Sequence, residues 1–403
     1  MAFKTISRAL FTKVEAAAGT AADPLDRAND YANPEQIKVR VRELDKTIDP
    51  QVDDENSKYL TGDLTGDPSI IGKVPGTLSY SIKSAPGQFV KDALDVANEH
   101  GLNYSEFLEG SGLNQIVITD NTVTQAEYGY PNKYFFFPSV SASDNTLSQT
   151  VVDKNAAGIG IGYDITGSIN NMTLAADGVG APLKFSFEGA GAVNYVYEIS
   201  ATDMAKIKFD GSNVMRTVAS KFLKTIIRIT DLATGDPIEV CVNKLELTSG
   251  AGLSEVECQA SSSGILYNTI TSMEPRLNIN PELKALSEFN FFKALTNETF
   301  YKIEIIVQDN NAADATAFEP LKVVIPRAQM LSAAISDDNG FFRNDITFRP
   351  LGNIDKDVPT VQYAAAEDGT LTDFDFAGTS LEGSEQELTY AIIISEEYLK
   401  DLV

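Results

Sequence analysis

Apolar and polar positions alternate in short runs spread along the chain. Gln36-Ile-Lys-Val-Arg-Val-Arg42 and Thr77-Leu-Ser-Tyr-Ser-Ile-Lys83 alternate cleanly, and each is expected to bury one face of a sheet. Leu183–Phe187, Ile238–Val242, Tyr301–Val307, Leu321–Ile325 and Ile346–Phe348 also read as strands. Runs of this length, punctuated by Gly, Asn, Asp, Pro and Ser, predict a mainly β chain with minor α, of the sandwich or barrel type. Polar stretches separate them at Asp45–Lys58, Thr119–Pro131, Ser141–Asn155, Asn310–Ala317 and Asn353–Gly383. Loops this long are uncommon in a compact domain unless they bind something, so they are read as contacts between subunits, with Ser141–Asn155 as an intersubunit clasp.

A helical period occurs twice. About residues 86–100, Pro86 suits a first turn, Phe89, Val90, Ala93, Leu94 and Ala97 share a face, and Gly101 stops the helix. About residues 287–296, Ser287 precedes Phe289, Phe292, Ala294 and Leu295, with an end near Asn297. An alternating strand leads each helix, at Thr77–Gly101 and again at Arg276–Asn297. The recurrence reads as a tandem duplication: a first β domain at 1–160 and a second at 161–403, whose C-terminal extension starts at about 353. Chance recurrence in an α+β chain is the alternative.

Composition narrows the function. At 403 residues the chain can bury a core without disulfide or metal staples. Its 57 Asp and Glu against 32 Lys and Arg give a net charge of -25, opposite in sign to a nucleic-acid binder. The densest basic run is Lys38, Arg40 and Arg42. Such a surface repels polyanions, which is compatible with DNA sliding past without sticking. Polar residues interrupt Met1–Thr20 before a signal-peptide core develops, and no apolar run approaches the roughly 18 residues of a membrane span. Cys241 and Cys258 flank a segment that reads as a hairpin around Ser249-Gly250-Ala251-Gly252, and free buried thiols are expected there.

Candidate chemistry is thin. The single histidine, His100, falls at the expected C-terminus of the first helix, where it suits the helix dipole better than catalysis. One histidine leaves no multi-histidine metal site and little room for a triad. Gly158-Ile-Gly160-Ile-Gly162 lacks the dinucleotide spacing and reads as a flexible seam or strand bend. Asp53, Asp54, Asp63 and Asp67 lack the spacing of a calcium loop and read as turn residues. The aromatic runs Tyr134–Phe137 and Phe289–Phe292 lack a basic groove and read as packing. No catalytic, cofactor-binding or metal-ligating residue is expected, and no enzyme activity.

Three segments carry a resemblance. Thr61–Tyr80 is a Gly- and Thr-rich approach to a long strand, and Leu183–Gly189 is a strand ending in Phe187-Glu-Gly189. The longest begins at Thr271-Ser-Met-Glu-Pro-Arg276 and continues through the second helix to Lys322-Val-Val-Ile-Pro-Arg-Ala-Gln329, Asp338-Asn-Gly340 and Phe348-Arg-Pro-Leu-Gly352. In this order they resemble the major tail tube proteins of tailed bacteriophages, over most of the length from Thr61 to Gly352. The order carries the resemblance; no single motif does. The segments before Gln36 and after Asn353 are less characteristic.

The resemblance implies a tail-tube-type β-sandwich or barrel with one flanking helix, duplicated in tandem. It implies self-association into rings, three copies mimicking sixfold symmetry or six copies as the alternative, stacked into a hollow tube. The implied partners are the tail tip or baseplate and terminator proteins. The tape measure protein and genomic DNA pass through the lumen without specific binding, and no membrane is involved. The implied location is the virion tail, assembled in the host cytoplasm. A non-polymerising β-sandwich virion protein, for capsid decoration or receptor binding, is the second reading, and a carbohydrate-active or metal-dependent enzyme a distant third.

Overall fold

The alternation at Thr77–Lys83 is realised, in the computed structural model of the chain, as a strand that turns Leu78, Tyr80 and Ile82 into the core. The structure describes residues 5–31, 42–48, 51–53, 70–84, 87–90, 99–101, 105–119, 132–139, 142–207, 220–282, 290–307, 321–338, 341–352, 362–364, 371–373 and 388–398.

The strands in chain order begin with β1 (Thr5–Val14), β2 (Arg42–Ile48), β3 (Gln51–Asp53), β4 (Ile70–Lys73), β5 (Pro75–Lys83), β6 (Gly87–Val90) and β7 (Glu99–Gly101). A short helix, α1 (Ser105–Glu109), precedes β8 (Leu113–Thr119), β9 (Asn132–Pro138) and β10 (Leu147–Asn155). The long hairpin β11 (Gly160–Ala176) and β12 (Lys184–Ile199) leads to α2 (Ala201–Lys206). Next come β13 (Thr225–Asp231), β14 (Pro237–Val240), β15 (Val242–Thr248), β16 (Ala251–Glu257), β17 (Ile265–Met273) and β18 (Arg276–Pro281). After α3 (Phe291–Thr296) follow β19 (Phe300–Val307), β20 (Leu321–Asp338), β21 (Phe341–Pro350), β22 (Gln362–Ala364), β23 (Leu371–Asp373) and β24 (Ala391–Tyr398). The chain is mainly β.

Eighteen of these strands join in one hydrogen-bonded sheet, antiparallel except for the β6–β24 pair. One path through it runs β2–β5–β12–β11–β15–β18–β21–β20. A second runs β8–β9–β24–β20–β19–β13–β14. The 18-residue β20 belongs to both, pairing with β24 near its start and with β21 further on. Side chains of the two paths meet in one core, Tyr80, Phe185 and Phe187 from the first and Phe136, Ile392 and Val323 from the second. The four successive aromatics of β9 fit this position. Tyr134 and Phe136 enter the main core, while Phe135 and Phe137 pack on the opposite face with Val324 and Ile393, as an uninterrupted apolar run requires of a strand buried on both sides.

Several expectations are corrected. Both described ends of the expected helix at 86–100 are strands. β6 pairs with β7 through Phe89↔His100 and with β24 through Glu396↔Gly87, so pairing partners outweigh the local helical pattern; residues 91–98 lie outside the described residues. His100 is therefore a strand residue, not a helix cap. The second helix is present as α3 but starts at Phe291, because Asn290 is the N-cap, its side chain accepting from Lys293 N–H at 2.9 Å; residues 283–289 lie outside the described residues.

Most of Ser141–Asn155 is not a loop. Residues 142–146 form a turn, but Leu147–Asn155 is β10, where Ser148 and Thr150 are buried with their hydroxyls hydrogen-bonded and Gln149 Nε2 reaches the Tyr80 hydroxyl. Asp45–Lys58 likewise begins within β2 and contains β3. The hairpin expected between Cys241 and Cys258 does not form. β15 stays in the large sheet between β11 and β18, whereas β16 leaves it to pair with β17 in a separate two-stranded ribbon. Both cysteines are free, and Cys241 is exposed rather than buried.

The chain beyond 353 does more than extend a domain. β24 inserts between β9 and β20, with Ala391, Ile392 and Ile394 wholly buried. The sheet also crosses residue 160 without interruption, through the β10–β11 ladder. Residues 36–41, 54–69, 120–131 and 308–320, where other strand, turn and loop expectations fall, lie outside the described residues.

Candidate assembly surface

A four-stranded antiparallel unit stands at one end of the large sheet. β1 pairs with β10 from Thr5↔Asn155 to Val14↔Leu147, β10 with the first half of β11, and that half with Val193–Ile199 of β12. Among the described residues β1 pairs with β10 alone. β12 is paired with β5 only as far as Ala192, and the Val193 N–H to Val74 carbonyl bond of 3.0 Å is the last backbone hydrogen bond on that side among the described residues. The unit therefore has two outer edges without a described strand partner. On the β12 edge Tyr195 and Val196 are 64% and 54% exposed, a poor position for such residues unless something covers them.

Both faces of the unit are covered. Leu10, Val151 and Ile165 enter the main core. On the opposite face Phe11, Val152 and Ile199 pack with Leu25 from the segment after β1 and with Met204 and Ile207 from the α2 region. The segment after β1 thus acts as a strap. It is anchored at Glu15, whose carboxylate accepts from Gly19 N–H, Thr146 Oγ1, Ser148 Oγ and Gly167 N–H at 2.6–2.9 Å.

Ionic contacts tie the strands together. Asp153 on β10 receives Arg8 Nε and Lys46 Nζ, both at 2.5 Å, and the Lys46 ammonium lies 3.9 Å from the Tyr163 ring centroid. Burial works to raise the Asp153 carboxyl pKa, but the hydrogen bonds and charges of Arg8 and Lys46 outweigh it and hold it below the ordinary value. Asp164 on β11 receives Arg27 Nη1 at 2.7 Å, Thr150 Oγ1 at 2.7 Å and the Tyr197 hydroxyl at 3.1 Å. Burial first, then the Asp164 charge, push the Tyr197 phenol well above its usual range, so it stays a donor.

Of Gly158-Ile-Gly160-Ile-Gly162, only Gly158 lies at a bend, in the β10–β11 turn at φ +81°. Gly160 and Gly162 lie within β11, and a side chain at Gly162 would meet the Tyr197 ring at 2.5 Å, so the glycine makes room for the ring that reaches Asp164. The aromatic run at Tyr134–Phe137 is packing, as expected.

The sequence assigned no role to the segment before Gln36, yet it supplies Arg8, Glu15 and Arg27. Its signal was the alternation of Leu10, Thr12 and Val14 within an apolar stretch, which is weak beside its scattered lysines and arginines. Among the described residues no group of three His, Cys, Asp or Glu is placed to hold a metal ion, and no helix is long and apolar enough to cross a membrane.

The fold and this surface define a mainly β protein with a paired, strapped sheet open at two edges among the described residues. No protein-family model matches the chain, and no curated protein matches it. Among solved structures, a chain of the anti-feeding prophage baseplate, determined by cryo-electron microscopy with sixfold symmetrisation, aligns with a TM-score of 0.27 and 10% identity, covering 34% of this chain and 91% of that one.

Proposed function

We propose that this chain is a structural, non-enzymatic subunit of a phage tail tube that joins copies of itself edge to edge into rings. The observation that carries the proposal is the four-stranded unit with both outer edges unpaired among the described residues. Strand sense supports head-to-tail joining. β1, β10, β11 and β12 alternate in direction, so β1 of one copy laid against the β12 edge of the next continues the antiparallel order. A heterologous contact of this kind closes into a ring when its rotation divides a full turn, and closure removes the edges that would otherwise pair without control.

The resemblance noted in the sequence gives the ring its setting: a virion tail assembled in the host cytoplasm, stacked rings, and DNA passing through during ejection. The net charge of -25 favours passage over capture, since phosphates are repelled. A ring of three rests on reading 1–160 and 161–403 as tandem tube domains, and a ring of six on one such unit per copy.

Negative-stain microscopy of the full chain with tail initiators present tests the proposal. Rings and tubes are expected, with the copy number read from end-on views. Val196→Lys, which places a charge on the β12 edge, is expected to retain β-sheet circular dichroism and lose the rings. Dispersed wild-type monomers at high concentration would sink the proposal in favour of a non-polymerising virion protein, and rings unaffected by Val196→Lys would sink the edge assignment.

A further inference from the structure

A set of polar side chains sits inside the main core, where the four-stranded unit meets β5. Gln149, Ser168 and Asn170 are wholly buried, and Tyr80 and Thr12 nearly so. The Tyr80 hydroxyl lies 3.1 Å from Gln149 Nε2 and 3.2 Å from Asn170 Nδ2, which joins β5, β10 and β11 through one oxygen. Burial pushes the Tyr80 phenol far above its usual range, so the hydroxyl keeps its proton. Thr12 stands opposite Gln149 on the neighbouring strand, and Ser168 and Asn170 lie on the same face of β11.

Four atoms of this set have no protein partner: Thr12 Oγ1, Gln149 Oε1, Ser168 Oγ and Asn170 Oδ1. Turning either amide end for end does not remove the deficit. Each amide has two polar ends, Tyr80 engages one, and the other stays unpaired whichever atom occupies it. Buried polar atoms in folded proteins nearly always find a partner, and four orphans in one cluster is an unusual concentration. Two of them converge, since a point one bond from the Gly189 Cα lies 2.5 Å from Asn170 Oδ1 and 3.1 Å from Ser168 Oγ. The glycine keeps that approach free of a side chain.

We infer that this cluster is a binding site for ordered internal water, which donates to the amide and hydroxyl oxygens that the protein leaves unpaired. The chemistry selects the ligand. The four unpaired atoms belong to neutral hydroxyls and amides, with the Glu106 carboxylate acting on the Tyr80 phenol from beyond them, and such atoms suit a small neutral donor and acceptor better than a cation. The water bridges β1, β10 and β11 on one side to β5 on the other, and so completes the polar pins that fix how the four-stranded unit sits on the rest of the sheet. The inference does not depend on the tail tube reading.

Water oxygen-17 relaxation dispersion of the full chain, compared with Gln149→Leu, tests it. The leucine fills the site and offers nothing to bind, so the long-lived water signal is expected to fall by at least one molecule. An unchanged signal in a folded variant would overturn the inference. Should Gln149→Leu fail to fold, Thr12→Val removes one hydroxyl at nearly constant volume and is read in the same way. An atomic-resolution crystal structure of the wild type decides directly. Solvent within hydrogen-bond distance of two or more of the four atoms supports the site; a dry cluster, or a cation in its place, refutes it.

Discussion

The Glu15 carboxylate accepts the Gly167 N–H at 2.9 Å, joining positions 152 apart in the chain. The same side chain accepts from Thr146 and Ser148 on the approach to and start of β10, and from Gly19 within the strap. Glu15 → Gln keeps the shape but sets an amide N–H₂ against groups that are themselves donors. Because hydrogen bonds to a charged group contribute about 1.5–3 kcal/mol each when lost singly, the variant is expected to lose roughly that much in chemical denaturation. Hydrogen exchange at Gly19 and Gly167 should speed up most. A variant as stable as wild type would mean that the strap is held by its apolar contacts alone.

Asp153 carries a pH signature. Its folded pKa lies below the ordinary carboxylate value of about 4, so its pairing with Arg8 and Lys46 stabilises the fold fully above that value. The contribution is lost as pH falls from there through the lower folded pKa. Asp153→Asn should therefore lower stability near neutral pH, and the difference from wild type should shrink on acidification across that window. Breaking a buried pair costs about 3–5 kcal/mol, and the partial exposure of Arg8 argues for the low end or less. Urea midpoints measured for both proteins from neutral to acid pH check this, and a constant difference would refute it.

How much of this was legible in the sequence differs by element. β5 could be read because Leu78, Tyr80 and Ile82 alternate with polar residues that face away from the core. β10 could not. Its Ser148, Gln149 and Thr150 have loop composition, and only partners more than a dozen positions away, Glu15, Tyr80 and Asp164, make burial affordable. The same holds for β6, whose Phe89 and Val90 fit a helical face until β7 and β24 are known. The strapped sheet escaped notice for a related reason: Arg8, Glu15 and Arg27 look like ordinary surface charges unless their distant carboxylate and amide partners are in view.

A second ionic cluster gives an asymmetric expectation. On β19, Glu304 faces two ammonium groups, Lys322 at 3.3 Å and Lys302 at 3.4 Å, with Lys322 only 2% exposed. Burial works to raise the Glu304 carboxyl, but Lys322 and Lys302, with Arg228, pull it below its ordinary value. Glu304→Gln leaves the buried Lys322 ammonium and the half-buried Lys302 ammonium without their shared carboxylate and is expected to cost about 3–5 kcal/mol. Lys302→Met relieves like-charge crowding and keeps the Lys322 pair, so it should cost much less. Equal losses in thermal denaturation would show that the two lysines do not share Glu304.

Besides the Ala251 N–H to Asn171 Oδ1 bond at its base, the Thr269 hydroxyl bond to Asp144 and the Lys73 pairs with Glu255 and Glu257, three further bonds hold the β16–β17 ribbon to its surroundings. Val74 N–H donates to the Ser263 carbonyl at 3.0 Å, Ile270 N–H to the Ser143 carbonyl at 3.2 Å, and Asn268 Nδ2 to the Ala190 carbonyl at 3.0 Å. Beneath it Gly167 adopts φ +58° at a bulge between Thr166 and Ile169, where a Cβ would lie 2.5 Å from the Tyr267 Cα. Gly167→Ala combines a left-handed backbone, disfavoured by about 1–2 kcal/mol for a residue with a Cβ, with contact against backbone that cannot rotate away. The ribbon must lift or the bulge must straighten. Lifting is expected, because β11 is fixed by ladders on both sides while the ribbon pairs only with itself. Hydrogen exchange should then quicken at Val74 and Ile270 while the central amides of β10 and β11 keep their protection. Uniform loss of protection would instead mean that the bulge gives way first and that Gly167 is a keystone of the sheet itself.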